Sequence, residues 1–240
     1  MKKNRSLSAH LRKLGNPTQA RNLSRFFKTG PGEYGEGDRF VGVTVPQIRQ
    51  LARVYRDLTR EEHAALLRSP IHEERMLALI IWTEQIKKSD PAKQRKLARL
   101  YLRNWKSINN WDLVDVSAPI VVGPALFAAD AQVLRTLRAF IRSKNLWQRR
   151  IAILSTFYLI RQNEFELLLE FAEAVLQDEE DLIHKASGWM LREAGKRDLQ
   201  FLRGFLKKHA AIMPRTMLRY SIEKLSKAER LKWMKTAGLP

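Results

Sequence analysis

The sequence predicts an all-α protein built from repeated helix pairs. Three observations lead there: apolar residues recur at helical spacing along nearly the whole chain, helix-capping signals return at short intervals, and convincing β alternation is absent. Thr59-Arg-Glu-Glu62, Asn163-Glu-Phe-Glu166 and Ser226-Lys-Ala-Glu229 each place a side-chain acceptor three residues ahead of a carboxylate, the form of a capping box. Ser69-Pro70 and Asp90-Pro91 read as an N-cap followed by proline at the first helical position, and Asp198 as a further cap. Helices are accordingly predicted at 5–14, 17–28, 45–56, 60–68, 71–88, 91–104, 109–118, 131–143, 146–161, 164–177, 181–196, 199–209, 214–224 and 227–236.

Amphipathic helices of related content begin near Arg75 (RMLALIIW), Trp111 (WDLVDVSA), Arg149 (RRIAILST) and Lys185 (KASGWMLR), at separations of 36, 38 and 36 residues. A shorter, more polar helix precedes each. Two helices per period is the pattern of HEAT and armadillo repeats, so the expected architecture is a HEAT/armadillo-like helical-repeat solenoid with a concave basic face, a single domain over residues 1–240, with an irregular helical globule as the alternative on periodicity alone.

The charge is lopsided. Forty-four Lys and Arg stand against 25 Asp and Glu, a net +19, which favours a polyanionic partner and says nothing of the fold. Hydrophobic residues make up 45% of the 240, enough for a continuous core, so a disordered chain is excluded. With no cysteine there is no disulfide scaffold, thiolate zinc site or cysteine nucleophile. The longest uncharged stretch, ending at Ala129, is broken by Pro119, Gly123 and Pro124 and falls short of the roughly 18 residues a membrane span needs. The basic N-terminus has no apolar segment of a secretory signal, although its composition is compatible with a mitochondrial-type leader, and a cytoplasmic protein is expected.

Thr29 to Thr44 is the one long irregular stretch and holds Gly30, Gly32, Gly35, Gly37 and Gly42. No Gly-Lys-Ser/Thr follows and no strand precedes it. Glu33, Glu36 and Asp38 would repel a phosphate, so it reads as an ordinary loop. The histidines, His10, His63, His72, His184 and His209, lack metal-ligand spacing and read mostly as surface residues. Neither a GxSxG elbow nor a GxGxxG turn after a strand is present.

Repeat-equivalent positions line up along one surface, which directs attention to the second helix of each pair. In the first of these, Leu113, Val116 and Ile120 project as a core stripe, while Trp111 and Asp115, four residues apart, project as neighbours on the other side. Trp111 either packs on an adjacent helix or serves a ligand. Asp112 suits the helix dipole and reads as structural. In the next helix Arg150 falls among Leu146, Leu154 and Phe157 and needs an anionic partner, either Asp115 or a phosphate. Arg149 points elsewhere, towards solvent. In the third, Ile183, Ala186, Met190 and Ala194 form the core side, and Trp189 lies away from it between Lys185 and Arg192. An aromatic among cations suits nucleic acid.

These segments carry a resemblance. WDLVDVSAP at 111–119, LWQRRIAIL at 146–154, HKASGWMLRE at 184–193 and FVGVTVPQIRQLAR at 40–53 resemble the AlkD-type DNA alkylation repair family over nearly the whole chain. The resemblance implies a HEAT-like monofunctional DNA glycosylase that excises cationic 7-alkylguanine and 3-alkyladenine from double-stranded DNA, as a monomer, without metal or cofactor. It further implies that Asp115 stabilises the sugar cation, that Trp111 and Trp189 hold the deoxyribose, and that Arg150 binds backbone phosphate. Such a family needs no pocket for an extruded base, unlike most glycosylases. The glycine- and acid-rich loop at 30–38 departs from the family pattern. Two other readings share the fold: a non-catalytic DNA-structure binder, which intact Trp111 and Asp115 argue against, and a protein-interaction scaffold, which the charge argues against.

Overall fold

The computed structural model describes residues 2–236, which are helical throughout apart from their connections. No strand occurs among the described residues, and the one isolated bridge joins Arg39 to Ile71. No described helix is long and apolar enough to cross a membrane. The chain forms two compact units. The first comprises residues up to Lys93 together with Arg103–Ser117, and the second comprises Gln94–Leu102 together with residues from Ala118 onward.

The first unit holds α1 (Lys2–Lys13), α2 (Pro17–Phe26), α3 (Val45–Val54), α4 (Arg60–Leu67), α5 (His72–Lys87), a 3₁₀ turn at Trp105–Ser107 and the start of α7 (Trp111–Val121). Helix α5 is its core. Packed by α3 and α4, it buries Met76 through Thr83 without a break, as a helix apolar on all sides must. Each fully buried Leu or Ile there contributes about 1.5–3 kcal/mol. Burial of α5 extends into its polar first turn, where His72, Glu73, Glu74 and Arg75 are at most 5% exposed. Charges so placed need partners. Glu73 finds them in the glycine-rich loop, whose backbone wraps its carboxylate: the N–H groups of Val41, Gly42 and Val43 donate to it at 2.8–3.3 Å. Gly42 makes this wrap workable, with a φ of 85°. A Cβ there would lie 2.1 Å from the Asn16 carbonyl oxygen.

The second unit takes in most of α6 (Pro91–Arg103) and then α8 (Gly123–Phe127), α9 (Ala131–Ile141), α10 (Leu146–Ser155), α11 (Phe157–Arg161), α12 (Glu166–Ala174), α13 (Asp181–Gly195), α14 (Leu199–His209), α15 (Arg215–Ile222) and α16 (Lys227–Thr236). Helix α13 is the hub, packing on α10, α11, α12, α14 and α15. Its approach to α15 depends on Gly188, where a Cβ would sit 2.5 Å from the Met217 carbonyl oxygen.

The repeat extends to hydrogen bonds. Ser69 accepts from the N–H of Ile71 at 3.0 Å, and Arg75 reaches back to the Ser69 carbonyl at 3.0 Å. Two sequence periods later Ser143 accepts from Asn145 at 3.0 Å, and Arg149 reaches back to the Ser143 carbonyl at 2.8 Å. Buried Ser117, Ser187 and Ser221 each bond to the carbonyl four residues earlier, at the same place on α7, α13 and α15.

Every predicted helix is present, with differences of local cause. The predicted 146–161 segment breaks at Thr156 into α10 and α11, and Pro124 starts the unpredicted α8. The capping box at Thr59 and the caps at Asp90 and Asp198 form. Ser69 instead braces the loop, and α5 starts two residues after Pro70. Asn163 is no cap either. It sits at φ 63° and accepts from Arg197.

Histidines are more buried than expected. His63, 6% exposed, lies against the Trp82 ring at 4.4 Å and meets the Ala78 carbonyl at 2.7 Å. Burial pushes its pKa down to about 4, the carbonyl opposing in part. A depressed histidine is neutral in the fold but charges in the unfolded chain below about pH 6.5, so its stabilisation fades as pH falls from there towards 4. Urea unfolding should show this decline, worth about 3 kcal/mol, and His63→Leu should flatten it.

Arg149 is also internal. Its guanidinium meets Asp178 at 2.6 Å, with side-chain exposures of 13% and 8%. Arg149→Ala strands that carboxylate and should cost about 3 kcal/mol. The exposed Arg138–Glu170 pair, broken by Arg138→Ala, should cost under about 1 kcal/mol. Thermal denaturation of the two variants side by side checks the ranking.

Candidate functional site

The α7 helix buries Leu113, Val114, Ala118 and Val121 completely. Val116 and Ile120, expected in the core stripe, are only half-buried, because the packed face lies about a quarter-turn from the projected one. Trp111 and Asp115 remain off the buried face. Both are partly exposed, and their four-residue spacing puts them one above the other.

Both alternatives for Trp111 have physical content. Its indole stacks on Phe27 at 5.2 Å and 24°, and meets the edge of Phe26 at 5.8 Å. It is thus packed against the end of α2 while keeping part of its surface in solvent. Phe26 is 63% exposed, an unusual state for so large an apolar ring, and exposed Arg25 and Lys28 flank the pair in sequence. These residues were missed in the sequence, although adjacent phenylalanines at a helix end carry a signal. They lie about 100° apart, and burying Phe27 turns Phe26 outward.

Beneath Trp111 lies a buried polar network. Asp38, carried inward by the glycine-rich loop, accepts from Arg75 at 2.5 Å, from His72 Nδ1 at 2.9 Å and from Asn110 at 3.1 Å. His72 Nε2 donates to Asp112 at 2.8 Å. Asp112 therefore does more than complement the helix dipole. It ties the first turn of α7 to α5, besides accepting from the Leu113 N–H at 2.8 Å. The loop's other acids turn inward on the loop itself: Glu33 accepts from the Gly30 N–H and Glu36 from the Gly32 N–H.

Burial opposes charge on His72, but its bonds to Asp112 and Asp38 outweigh that and hold its pKa above the ordinary histidine value. Asp38 is likewise opposed by burial, yet His72 and Arg75 keep its pKa below the usual carboxylate value. The signs differ. His72 gives its full stabilisation below about pH 6.5 and loses it as pH rises through the raised value. Asp38 gives its own above about pH 3.8 and loses it as pH falls through the lowered one.

In the second unit, Ile183, Ala186, Met190 and Ala194 are fully buried as predicted, and Trp189 is half-buried beside Phe157 at 6.0 Å. The setting of Trp189 is more mixed in charge than expected. Its indole N–H donates to Glu193 at 3.1 Å, Arg192 pairs with Glu223 and Glu193, and Lys185 pairs with Asp181 at 2.6 Å. Arg150 is 4% exposed and donates to the Leu182 carbonyl at 2.5 Å, fastening α10 to α13. Arg149, expected to face solvent, is instead held by Asp178 and Ser143, as described above. No group of three His, Asp or Glu suited to a metal occurs among the described residues.

Residues 7–225 match the family model for DNA alkylation repair enzymes. No curated protein matches the sequence significantly. Among solved structures, one described as a predicted DNA alkylation repair enzyme from Enterococcus faecalis superposes with a TM-score of 0.68 at 18% identity, over 89% of this chain and 97% of that one. The structure of smu.31 from Streptococcus mutans UA159 gives a TM-score of 0.49 at 18% identity, over 91% and 96%. The family match spans both units, and the chain belongs to the DNA alkylation repair enzyme family.

Proposed function

We propose that this chain is a monofunctional DNA glycosylase that releases cationic alkylated purines, 7-alkylguanine and 3-alkyladenine, from double-stranded DNA. The observation that carries the reading is the side of α7 on which a partly exposed tryptophan and carboxylate stand one turn apart. Exposed Phe26 lies against that tryptophan, in a chain of net charge +19. Family membership supplies the repair context.

The chemistry suits those groups. An N-alkylated purine already carries positive charge, so it departs with the glycosidic electron pair as a neutral base and needs no strong general acid. Positive charge then builds on the deoxyribose. A carboxylate and the negative face of an aromatic ring both stabilise such a cation. Asp115 supports the sugar cation and orients the water that adds at its C1′, the water's proton is released, and an abasic site remains. By the family resemblance Trp111 and Trp189 are assigned to the deoxyribose and Arg150, Lys185 and Arg192 to the phosphate backbone; Arg150, buried and bonded to the Leu182 carbonyl, meets a phosphate only if that bond opens. Because Arg192 and Lys185 are engaged with acids, a phosphate recruits them only by displacing Glu223 or Asp181.

Duplex affinity should fall steeply with salt, by a log–log slope of about −0.9 per phosphate contacted. A flat response between about 50 and 200 mM removes nucleic acid as the partner. For the chemistry, Asp115→Asn should slow release of 7-methylguanine from a duplex by roughly 10²-fold, with helicity retained and affinity equal or slightly higher. Glu33→Gln, altering a loop acid that meets only its own backbone, should excise normally. If Asp115→Asn excises as fast as the parent protein, a DNA-structure binder without catalysis becomes the better reading.

A further inference from the structure

His72 does not lie on the Trp111–Asp115 side of α7, yet it touches what holds that side in place. Both its ring nitrogens face carboxylate oxygens, Asp38 at 2.9 Å and Asp112 at 2.8 Å. A neutral imidazole has one N–H, so one nitrogen would turn a lone pair against a carboxylate. Only the imidazolium satisfies both. Charge then balances, two aspartates against His72 and Arg75, with Asn110 completing the set from the residue before α7. Glu73, beside His72 on α5, is engaged with the loop backbone and does not compete.

The ring also belongs to an aromatic cluster. His72 lies 4.6 Å from Phe40 and 5.1 Å from Phe27, those two rings are 5.1 Å apart, and Phe27 in turn stacks on Trp111 at 5.2 Å. A cation beside Phe40 and Phe27 strengthens the cluster. His72 therefore reaches Trp111 by two routes, through the rings and through Asp112, the next residue in the same helical turn.

We propose that His72 is a positioning residue: clamped between Asp38 and Asp112 and packed against Phe27 and Phe40, it fixes Trp111 and the first turn of α7, and so the placement of Asp115. Its catalytic consequence rests on the glycosylase reading, whereas its hold on Trp111 does not. Small displacements of reacting groups lower rates steeply while leaving binding largely intact, which separates positioning from mere support of the fold.

Labelling the protein with 5-fluorotryptophan gives one fluorine resonance for each of its six tryptophans, and Trp111→Phe assigns the one of interest. In His72→Gln the Trp111 resonance should move, and single-turnover release of 7-methylguanine should slow by about tenfold with duplex affinity within about twofold. Asp112→Asn, which alters the partly exposed end of the same clamp, should shift the same resonance and lower the same rate, and it keeps the test open should His72→Gln fail to fold. His63→Gln is the control. It disturbs another buried histidine of the first unit and should move the Trp82 resonance, leaving Trp111 and the excision rate alone. An unmoved Trp111 resonance in both clamp variants overturns the proposal, as does excision by both variants as fast as by an active parent. If the parent protein releases no base while the Trp111 resonance moves as stated, the glycosylase reading fails and the positioning stands.

Discussion

A carboxylate buried beneath the first turn of α7 is the constraint on which the first unit depends. Asp38 is 8% exposed, and an isolated charge there would be costly. It is tolerated because α5 brings Arg75 and His72 to it and the residue before α7 brings Asn110. The loop can deliver it because Glu73 grips three consecutive backbone N–H groups nearby. Removing one member of such a set leaves a buried charge unmatched, so the loop, α5 and the start of α7 are held as one piece. Trp111 and Asp115 inherit their rigidity from that piece.

The second unit solves a similar problem with less charge. Its hub, α13, is anchored by close backbone approach at Gly188 and by Arg150 bonding to the Leu182 carbonyl. Trp189 therefore stands on a helix fixed mainly by packing, and its polar surroundings are ion pairs near the surface. The two tryptophans proposed to hold the sugar differ in this respect. Trp111 is backed by rings and a buried ionic clamp, whereas Trp189 is steered by one hydrogen bond to Glu193 and contact with Phe157.

Local signals in the sequence were legible where their cause was local. Helices and the caps at Thr59 and Asp198 follow from residues within one turn, and the buried side of α13 follows from its own periodicity. The packed face of α7 was misjudged because its pattern is apolar nearly all round. Which side is buried then depends on neighbours that periodicity does not encode. The candidate residues Trp111, Asp115 and Trp189 were legible as large or charged groups away from packed faces. What supports them was not: Asp38, His72 and Asp112 lie 34 and 40 residues apart, and nothing in the spelling of a glycine-rich loop says that its last acid turns inward. The same blindness made Arg149 look solvated, since its partner Asp178 is 29 residues away.

The account stands or falls on the charge of one ring. Selective ¹⁵N labelling of histidine, with His72→Gln to assign the signal, reads the protonation of both His72 nitrogens directly. With both nitrogens facing carboxylate oxygens, each should carry a proton at pH 7, with shifts of an imidazolium, while buried His63 should show a neutral ring. A neutral His72 at that pH would contradict the account, because Asp38 and Asp112 could not then both be held by it.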